Sequence, residues 1–346
     1  MNEHRYAIDR ILEEKIHALD SQTRYKEITL EYFRKLKPSS GAAILLTTRR
    51  RYELVENCIS QLWVHSSKNP SVFAASRDFE PILQRIPLYR DHFIHSFNVF
   101  LMGYYILNRL KELFPRLDLK SNDYNLTWML ASTFHDVAYP LQEMENWLNE
   151  LFEKFFGVNP NFHYDITQVM PMIYVDFIRI ITRCHTKPFQ GPLGGQDLLD
   201  LDWTFYNQIG AKLVEKEHGV LGGLMLFHLL AVREGFVGSR RWDFLFNHLL
   251  ACHAITVHHL PVTVKFERHP LAYLLILLDE LQDWGRPASK VKKDRIRVID
   301  IVCDQIHQNP VVKFVVKGSK RRKKALYRNL STRIDSDTIS VIFEEK

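Results

Sequence analysis

Residues 92–110, HFIHSFNVFLMGYYILNRL, decide how the rest of this sequence is interpreted. Apolar side chains would lie on nearly every face of a helix formed by these residues, so the helix should be buried on most sides. The stretch therefore predicts the centre of a helical core. It also carries two histidines, His92 and His95. Burying an imidazole costs free energy unless it is hydrogen-bonded or bound to a metal.

The sequence on either side of this stretch also favours helices. Apolar residues recur at helical spacing over residues 8–19, 28–36, 52–64, 126–137, 141–156, 219–233, 242–258 and 271–284. After residue 286 the apolar period changes to two, with Val312, Phe314 and Val316 on one face. These patterns predict a mainly α fold: a helical bundle with an N-terminal helical extension and a small C-terminal antiparallel β-element.

Composition excludes several classes of protein. The chain has 346 residues, of which 46% are hydrophobic, and a net charge of +6, so it can bury a sizeable core and is not disordered as a whole. The most apolar stretch is residues 271–278, whereas a membrane span needs about 20 apolar residues. The first residues lack an apolar signal core, and the four cysteines form no CxxC pair. A cytoplasmic protein with buried reduced thiols is therefore expected.

Positive charge is concentrated in the C-terminal part of the chain. Residues 286–346 hold 16 Lys and Arg against 7 Asp and Glu, a net charge of +9, while the remainder carries −3. Residues 317–324, KGSKRRKK, are predicted to form an exposed loop between two strands. We interpret them as a solvated run of charge. Contact with nucleic-acid phosphates through counterion release is the alternative.

Histidines and aspartates in apolar helices are the candidates for chemistry. The 16 histidines of the chain include several that lie near a carboxylate inside an apolar stretch. The candidate set consists of His95, His135 and Asp136 in ASTFHDVAYP, His218 in EHGVLGGLML, His253, His258 and His259 in ACHAITVHHL, and Asp279 in LAYLLILLDELQDWGR. Imidazole and carboxylate ligands without a thiolate suit Fe, Mn, Mg, Ni or Zn. An adjacent His-Asp pair offers a carboxylate that can bridge two ions.

The ordered pattern His, His-Asp, His, His, Asp resembles the HD-domain metal-dependent phosphohydrolase superfamily. The phrases HxxHSxxV, HDVAYP, AIxxHH and LxDxLQDWGR agree with it. The resemblance implies an HD-type catalytic bundle over residues 88–288 with an insertion at 140–217, flanked by a helical extension at 1–87 and a basic β-element at 289–346. No GYP phrase follows His259, which argues against the cyclic-di-nucleotide subgroup.

The resemblance also implies a ligand set for two divalent metal ions, with Mn or Fe expected first and Mg, Ni or Zn as alternatives. One ion would be held by His95, His135, Asp136 and Asp279, and the second by Asp136, His218 and His258. His253 is the alternative to His258. In this branch of the family a hydroxide between the metals attacks phosphorus, and the metals stabilise the developing charge.

Other residues near these motifs are candidates for catalysis and substrate binding. His92 shares a helix face with His95 and is a candidate acid or base, or a capping or solvent-facing residue. Asp283 and Arg286 follow Asp279 at i+4 and i+7, on the same side of the helix. Arg286 could hold a substrate phosphate, while an ion pair with Asp283 is the plainer interpretation.

The insertion offers a second candidate substrate contact. His185 and Lys187, in RCHTKPFQGP, are predicted to lie on a loop. Such a loop could close over an anionic substrate, although an ordinary surface loop is the preferred interpretation.

The expected function is hydrolysis of a phosphate ester or anhydride in a small molecule, with a nucleotide implied by resemblance. Two alternatives stay open. One is an HD oxygenase with a mixed-valent di-iron centre, and the other is a nucleotide-sensing module with a degenerate site.

Overall fold

The structure is a computed structural model, and it describes residues 7–21, 23–36, 48–64, 92–114, 124–165, 173–186, 201–233, 242–282, 296–306 and 309–345. The helices are α1 (Ala7–His17), α2 (Arg24–Leu36), α3 (Thr48–Val64), α4 (His92–Leu113), α5 (Tyr124–Phe134), α6 (Tyr139–Phe156), α7 (Ile173–Thr186), α8 (Trp203–Val214), α9 (His218–Arg233), α10 (Trp242–Val257), α11 (Pro270–Leu281) and α12 (Lys320–Arg333). The strands are β1 (Val264–Lys265), β2 (Arg297–Ile306), β3 (Asn309–Lys317), β4 (Ile334–Asp335) and β5 (Ser340–Glu345). The predicted mainly α fold with a small β-element is confirmed.

The centre of the fold is the pair α4 and α5, with α10 and α11 packed beside them. Almost every residue of α4 from Phe93 to Leu110 is buried, as its all-round apolar sequence predicts. The two helices approach closely where Gly103 of α4 faces the indole of Trp128. Trp128 is fully buried, and its Nε1–H donates to the carbonyl of Phe100 at 3.0 Å. Small and large side chains thus alternate across this contact.

The N-terminal helices belong to the same hydrophobic core as the rest of the described chain. Helix α1 packs against α4 and β2, and α3 packs against α4. Asp9 and Arg51 form a buried ion pair between α1 and α3, with 3.4 Å between Oδ1 and Nη2. All four cysteines, Cys58, Cys184, Cys252 and Cys303, are buried and form no disulfide. Among the described helices, none is both long enough and apolar enough to traverse a bilayer.

The C-terminal sheet differs from the predicted antiparallel element. Strand β3 pairs with β2 antiparallel but with β5 parallel, so the sheet is mixed. The prediction was wrong because it did not include α12, which lies between β3 and β5 and carries the chain back across the sheet. Parallel neighbours need such a crossover connection.

The basic segment at residues 317–324 is likewise not a hairpin loop. Ser319 caps α12, its Oγ accepting a hydrogen bond from the N–H of Arg322 at 3.4 Å. The helix buries Leu326 and Leu330 at i,i+4 spacing, which anchors one face. Most of its basic side chains remain exposed to solvent. The run is therefore the solvated first turns of a helix.

The C-terminal element is attached directly to the central helices. The guanidinium of Arg333, the last residue of α12, donates to the carbonyl of His258 and lies 3.4 Å from Glu280. Strand β4 then pairs in parallel with β1, which lies between α10 and α11. This places the C-terminal element against the end of α10 and the side of α11.

Candidate metal centre

Six of the sequence-predicted residues come together from five helices. His95 lies in α4, His135 and Asp136 in the turn after α5, and His218 at the first position of α9; His258 directly follows α10, and Asp279 lies in α11. His95 Nε2 is 2.8 Å from Asp279 Oδ1 and 3.2 Å from His135 Nε2. The ring of His258 lies between those of His135 and His218, at centroid distances of 5.2 and 5.3 Å.

The carboxylate of Asp136 lies between two groups of ligands. Its Oδ2 is 3.7 Å from His95 Nε2, and its Oδ1 is 3.5 Å from His135 Nε2 and 3.6 Å from His218 Nε2. The two oxygens thus face different histidines. A carboxylate in this position can bridge two ions.

Two of the histidines are oriented by the helices that precede them. His135 and His258 each directly follow the last residue of a helix, α5 and α10 respectively. Their Nδ1 atoms donate to carbonyls three residues earlier, Ser132 O at 2.7 Å and Ile255 O at 2.5 Å. Carbonyls in the last turn of a helix lack intrahelical partners, so an imidazole N–H satisfies them.

The other two histidines are oriented by glutamine side chains. Gln282 Oε1 accepts a hydrogen bond from His95 Nδ1. Gln142 Oε1, in α6, accepts both the N–H of His218 and its Nδ1–H, each at 2.8 Å. Because Nδ1 carries a proton in all four rings, Nε2 is the nitrogen that could bind a metal. Metal-binding histidines in proteins are commonly held in this way.

Among the six candidate ligands, one buried ring nitrogen has no hydrogen-bond partner. His258 is fully buried, and its Nε2 makes no hydrogen bond in the structure. A buried polar atom left unpaired costs about 1–3 kcal/mol. A metal ion at this point would satisfy it, so the donor set fits such an ion.

The two carboxylates are held in their ionised form. Burial raises the pKa of Asp136, but the imidazoles of His135, His92 and His95 outweigh burial and leave it well below its usual range. For Asp279, burial is likewise outweighed by hydrogen bonds to His135 and His95, so its pKa is also low. The same carboxylates raise the pKa of His135 to about 9 against the effect of burial. Metal binding at His135 would therefore release a proton.

The histidines on the other side of Asp136 are held neutral. Burial, with a smaller effect from His259, lowers the pKa of His218 to about 4. Burial and the neighbouring imidazoles also place the pKa of His258 well below its usual range. Neutral imidazole is the form that binds metals. The second group of ligands is thus ready for a cation at neutral pH.

Gly219 makes room for His258 at the start of α9. Glu217 precedes this helix, and its carboxylate accepts hydrogen bonds from the N–H groups of Gly219 and Val220 at 3.0 and 2.9 Å. A Cβ atom on Gly219 would lie 2.8 Å from His258 Cε1. The xHG phrase therefore reflects a close approach between α9 and the imidazole.

The Gly219→Ala variant should bind the second ion more weakly. The added methyl group would displace the His258 ring, and disturbing the support of a ligand usually costs about 10- to 100-fold in metal affinity. Stepwise Mn²⁺ titration of the metal-free protein measures this. The control is Gly210→Ala in α8, where the added Cβ meets only Ile178 Cδ1 at 3.9 Å. Unchanged affinity in Gly219→Ala would contradict the proposed role of His258.

His253 is not close to this centre. Five residues separate it from His258, which is about 140° around a helix, so the two face different sides of α10. His253 instead lies with His185 and His269. Between the two candidates considered from sequence, the geometry brings His258 to Asp136.

His92 lies beside the centre, one turn before His95. Its ring stacks on Tyr139 at 4.3 Å and contributes to the low pKa of Asp136. The position agrees with a role next to the ligands. Asp283, Arg286 and Lys187 lie outside the described residues.

The prediction that His185 lies on a loop was wrong. His185 is in the last turn of α7, half-buried, with its ring parallel to Phe205 at 4.0 Å. Helix α7 was missed because its Ile, Val and Thr residues are also typical of strands. The insertion is packed against α9 and α10.

Two residues at the centre were not found from the sequence, and a third was found but given no role. Gln142 and Gln282 hold His218 and His95, and the exposed His259 has its ring 4.3 Å from that of His218. Gln282 falls within the LxDxLQDWGR phrase and His259 within AIxxHH. Nothing in the sequence singles out Gln142, because the pattern of α6 is that of an ordinary amphipathic helix.

Comparisons of this chain with protein-family models, with curated proteins and with solved structures give no match. The arrangement of histidines and aspartates is therefore what bears on function. In the described part of the chain, overlapping groups from this arrangement could each hold a metal: His95, His135 and Asp279; His135, Asp136 and His258; and His218, His258 and His259.

Proposed function

We propose that this protein is a metal-dependent hydrolase of a phosphate ester or anhydride, with a nucleotide as the substrate class. His95, His135, Asp136 and Asp279 would hold one divalent ion. Asp136, His218 and His258 would hold the other. Two such ions would activate water for attack on phosphorus and stabilise the charge that develops.

One observation carries the proposal. Four imidazoles from four helices present Nε2 to two carboxylates, while each Nδ1 donates to an oxygen outside the cluster. Buried polar groups are rarely left unpaired, so a chance group of core histidines would leave no buried ring nitrogen without a partner. The buried His258 Nε2, without a hydrogen bond, is the clearest departure from that rule.

The polar residues at the edge of the cluster supply the remaining functions. The side chain of Asp279 is 18% exposed, whereas those of His95 and His135 are fully buried. An anionic substrate would thus meet the centre from the Asp279 side. His92, beside Asp136, is in position to move a proton to or from a reacting oxygen. The free, buried cysteines agree with a reducing, cytoplasmic location.

Phosphate release from a panel of nucleotides tests the proposal. Protein purified without chelator under nitrogen is supplied with Mn²⁺ or Fe²⁺ and incubated with nucleoside mono-, di- and triphosphates. We expect metal-dependent release of phosphate or pyrophosphate from at least one class. Unchanged nucleotides after long incubation, or oxygen uptake in place of phosphate release, would contradict it.

The His218→Ala variant should lose one of the two ions of the centre. His218 faces Asp136 Oδ1 and lies 5.3 Å from His258 by ring centroids, on the side away from His95. Its removal takes a ligand from the second ion and leaves the first set of four intact. Metal analysis should give one Mn²⁺ fewer per chain, and turnover should fall by about 10²-fold or more. The control is His17→Ala, an exposed histidine of α1. Loss of both ions in His218→Ala would contradict the assignment.

A further inference from the structure

A second cluster of histidines lies apart from the centre described above. His185 lies in the last turn of α7, His253 lies within α10, and His269 precedes α11 as its N-cap residue. One ring nitrogen of each lies within 4.8 Å of those of the other two. The ring centroids are 4.6 to 5.4 Å apart, close to the 5.2 Å between His95 and His135. Three separate elements therefore bring three imidazoles to one point.

Hydrogen bonding explains only part of this cluster. His185 Nδ1 and His253 Nε2 are 3.1 Å apart and could share one proton. His269 Nε2–H donates to the carbonyl of His185 at 3.0 Å, so the lone pair of this ring is on Nδ1. That Nδ1 is buried and makes no hydrogen bond. The third imidazole thus carries a buried, unsatisfied lone pair.

The spacing of the nitrogens suits a small ion. Two ligand nitrogens at about 2.05 Å from a tetrahedral zinc lie about 3.3 Å apart. The 3.1 Å between His185 Nδ1 and His253 Nε2 is close to that separation. A backbone carbonyl that orients the outer nitrogen of a ligand, as for His269, is a usual feature of such sites.

The cluster is also chemically distinct from the first centre. No carboxylate of the described residues belongs to the cluster, and burial lowers the pKa of all three imidazoles, to about 4 for His185 and about 3 for His269. Three neutral nitrogen ligands without a hard oxygen favour Zn²⁺ over Mn²⁺ or Mg²⁺.

We propose that His185, His253 and His269 bind one Zn²⁺ ion, separate from the two-metal centre. The ion would join the end of α7 to α10 and to the start of α11. His258 of the other centre follows α10, and Asp279 lies in α11. The ion is a structural cross-link between the insertion and the helices that hold the ligands. The proposal is independent of the proposed hydrolysis.

Zinc binding to the Asp136→Ala variant tests this inference. The variant lacks the bridging carboxylate of the first centre and keeps all three histidines of the second cluster. Metal-free Asp136→Ala protein, titrated with Zn²⁺ and dialysed, should retain one zinc per chain and gain thermal stability from it. Mn²⁺ should not replace that zinc. An absence of bound zinc in this variant overturns the proposal, whether or not the protein hydrolyses phosphate.

A second substitution locates the ion. In the Asp136→Ala background, His269→Gln should lose the zinc and its effect on the unfolding temperature. His248→Asn in the same background is the control, since His248 is a buried histidine of α10 outside both clusters. It should retain the zinc. A zinc that survives His269→Gln lies elsewhere and overturns the proposal. If the double variant does not fold, tetrahedral Co²⁺ absorption in Asp136→Ala that fits three nitrogen ligands supports the site, and octahedral Co²⁺ overturns it.

Discussion

The Asp136→Ala variant is expected to lose both ions of the two-metal centre and all phosphate release. Asp136 presents one oxygen towards His95 and the other towards His135 and His218, so each ion would lose a carboxylate ligand. Of the six proposed ligands, Asp279 would be the carboxylate left for the first ion, and the second ion would keep only the imidazoles of His218 and His258. Turnover should fall by at least about 10³-fold, since activation of water and charge stabilisation both depend on the ions. Metal analysis and the phosphate assay measure the two losses.

An aspartate far from the centre provides the control. Asp304 is exposed on β2, and Asp304→Ala should keep the full metal content and activity. If Asp136→Ala protein kept both Mn²⁺ ions, the assignment of Asp136 as a metal ligand would be wrong. Retained ions with lost activity would instead assign Asp136 to catalysis alone.

The largest expected effect on stability is that of Gly103→Ala. A Cβ atom on Gly103 would lie 2.0 Å from Trp128 Cζ2, far inside van der Waals contact. Trp128 is fully buried and held by its hydrogen bond to Phe100, so its ring cannot move aside freely. Overpacking of this kind costs about 3 kcal/mol in the free energy of unfolding. Denaturant unfolding followed by circular dichroism measures it.

The same substitution elsewhere in a helix should have the opposite sign. At Gly210 in α8 a Cβ meets only Ile178 Cδ1, at 3.9 Å. Gly210→Ala should therefore stabilise the protein by about 0.5–1 kcal/mol, the usual helix preference for alanine. Equal effects of the two substitutions would show that the contact between α4 and α5 is not as close as described.

The sequence predicts the fold well where side chains are uniform in character. Helix α4 reads as buried because nearly every residue is apolar, and the end of α6 at Gly157 follows from the glycine, which has a φ of 65° there. The sequence fails where tertiary contacts decide. Helix α12 begins with a basic run whose sequence resembles a loop. Leu326 and Leu330 indicate a buried helix face only once it is known that other parts of the protein pack on them.

The residues of the candidate centre also fall into two groups, those that the sequence predicts and those that only tertiary contacts reveal. His95, His135 and Asp136 stand out because polar residues in apolar stretches need partners. The phrase AIxxHH favoured His258 over His253, and the rotation between the two residues assigns each to its neighbours. Gln142 could not be predicted from the sequence, because its partner His218 lies 76 residues later in the chain.

The bond from Arg333 to the carbonyl of His258 has a consequence for how this protein is made. His95 is synthesised long before Asp279, its neighbour 184 residues later, and the guanidinium that supports His258 comes later still. At about 5–20 residues per second, the ribosome needs roughly ten to fifty seconds to pass from His95 to Arg333. For that interval the emerging polypeptide carries unfinished coordination sites. The proposed metal binding would therefore be a late event of biogenesis, which follows the synthesis of the C-terminal helix.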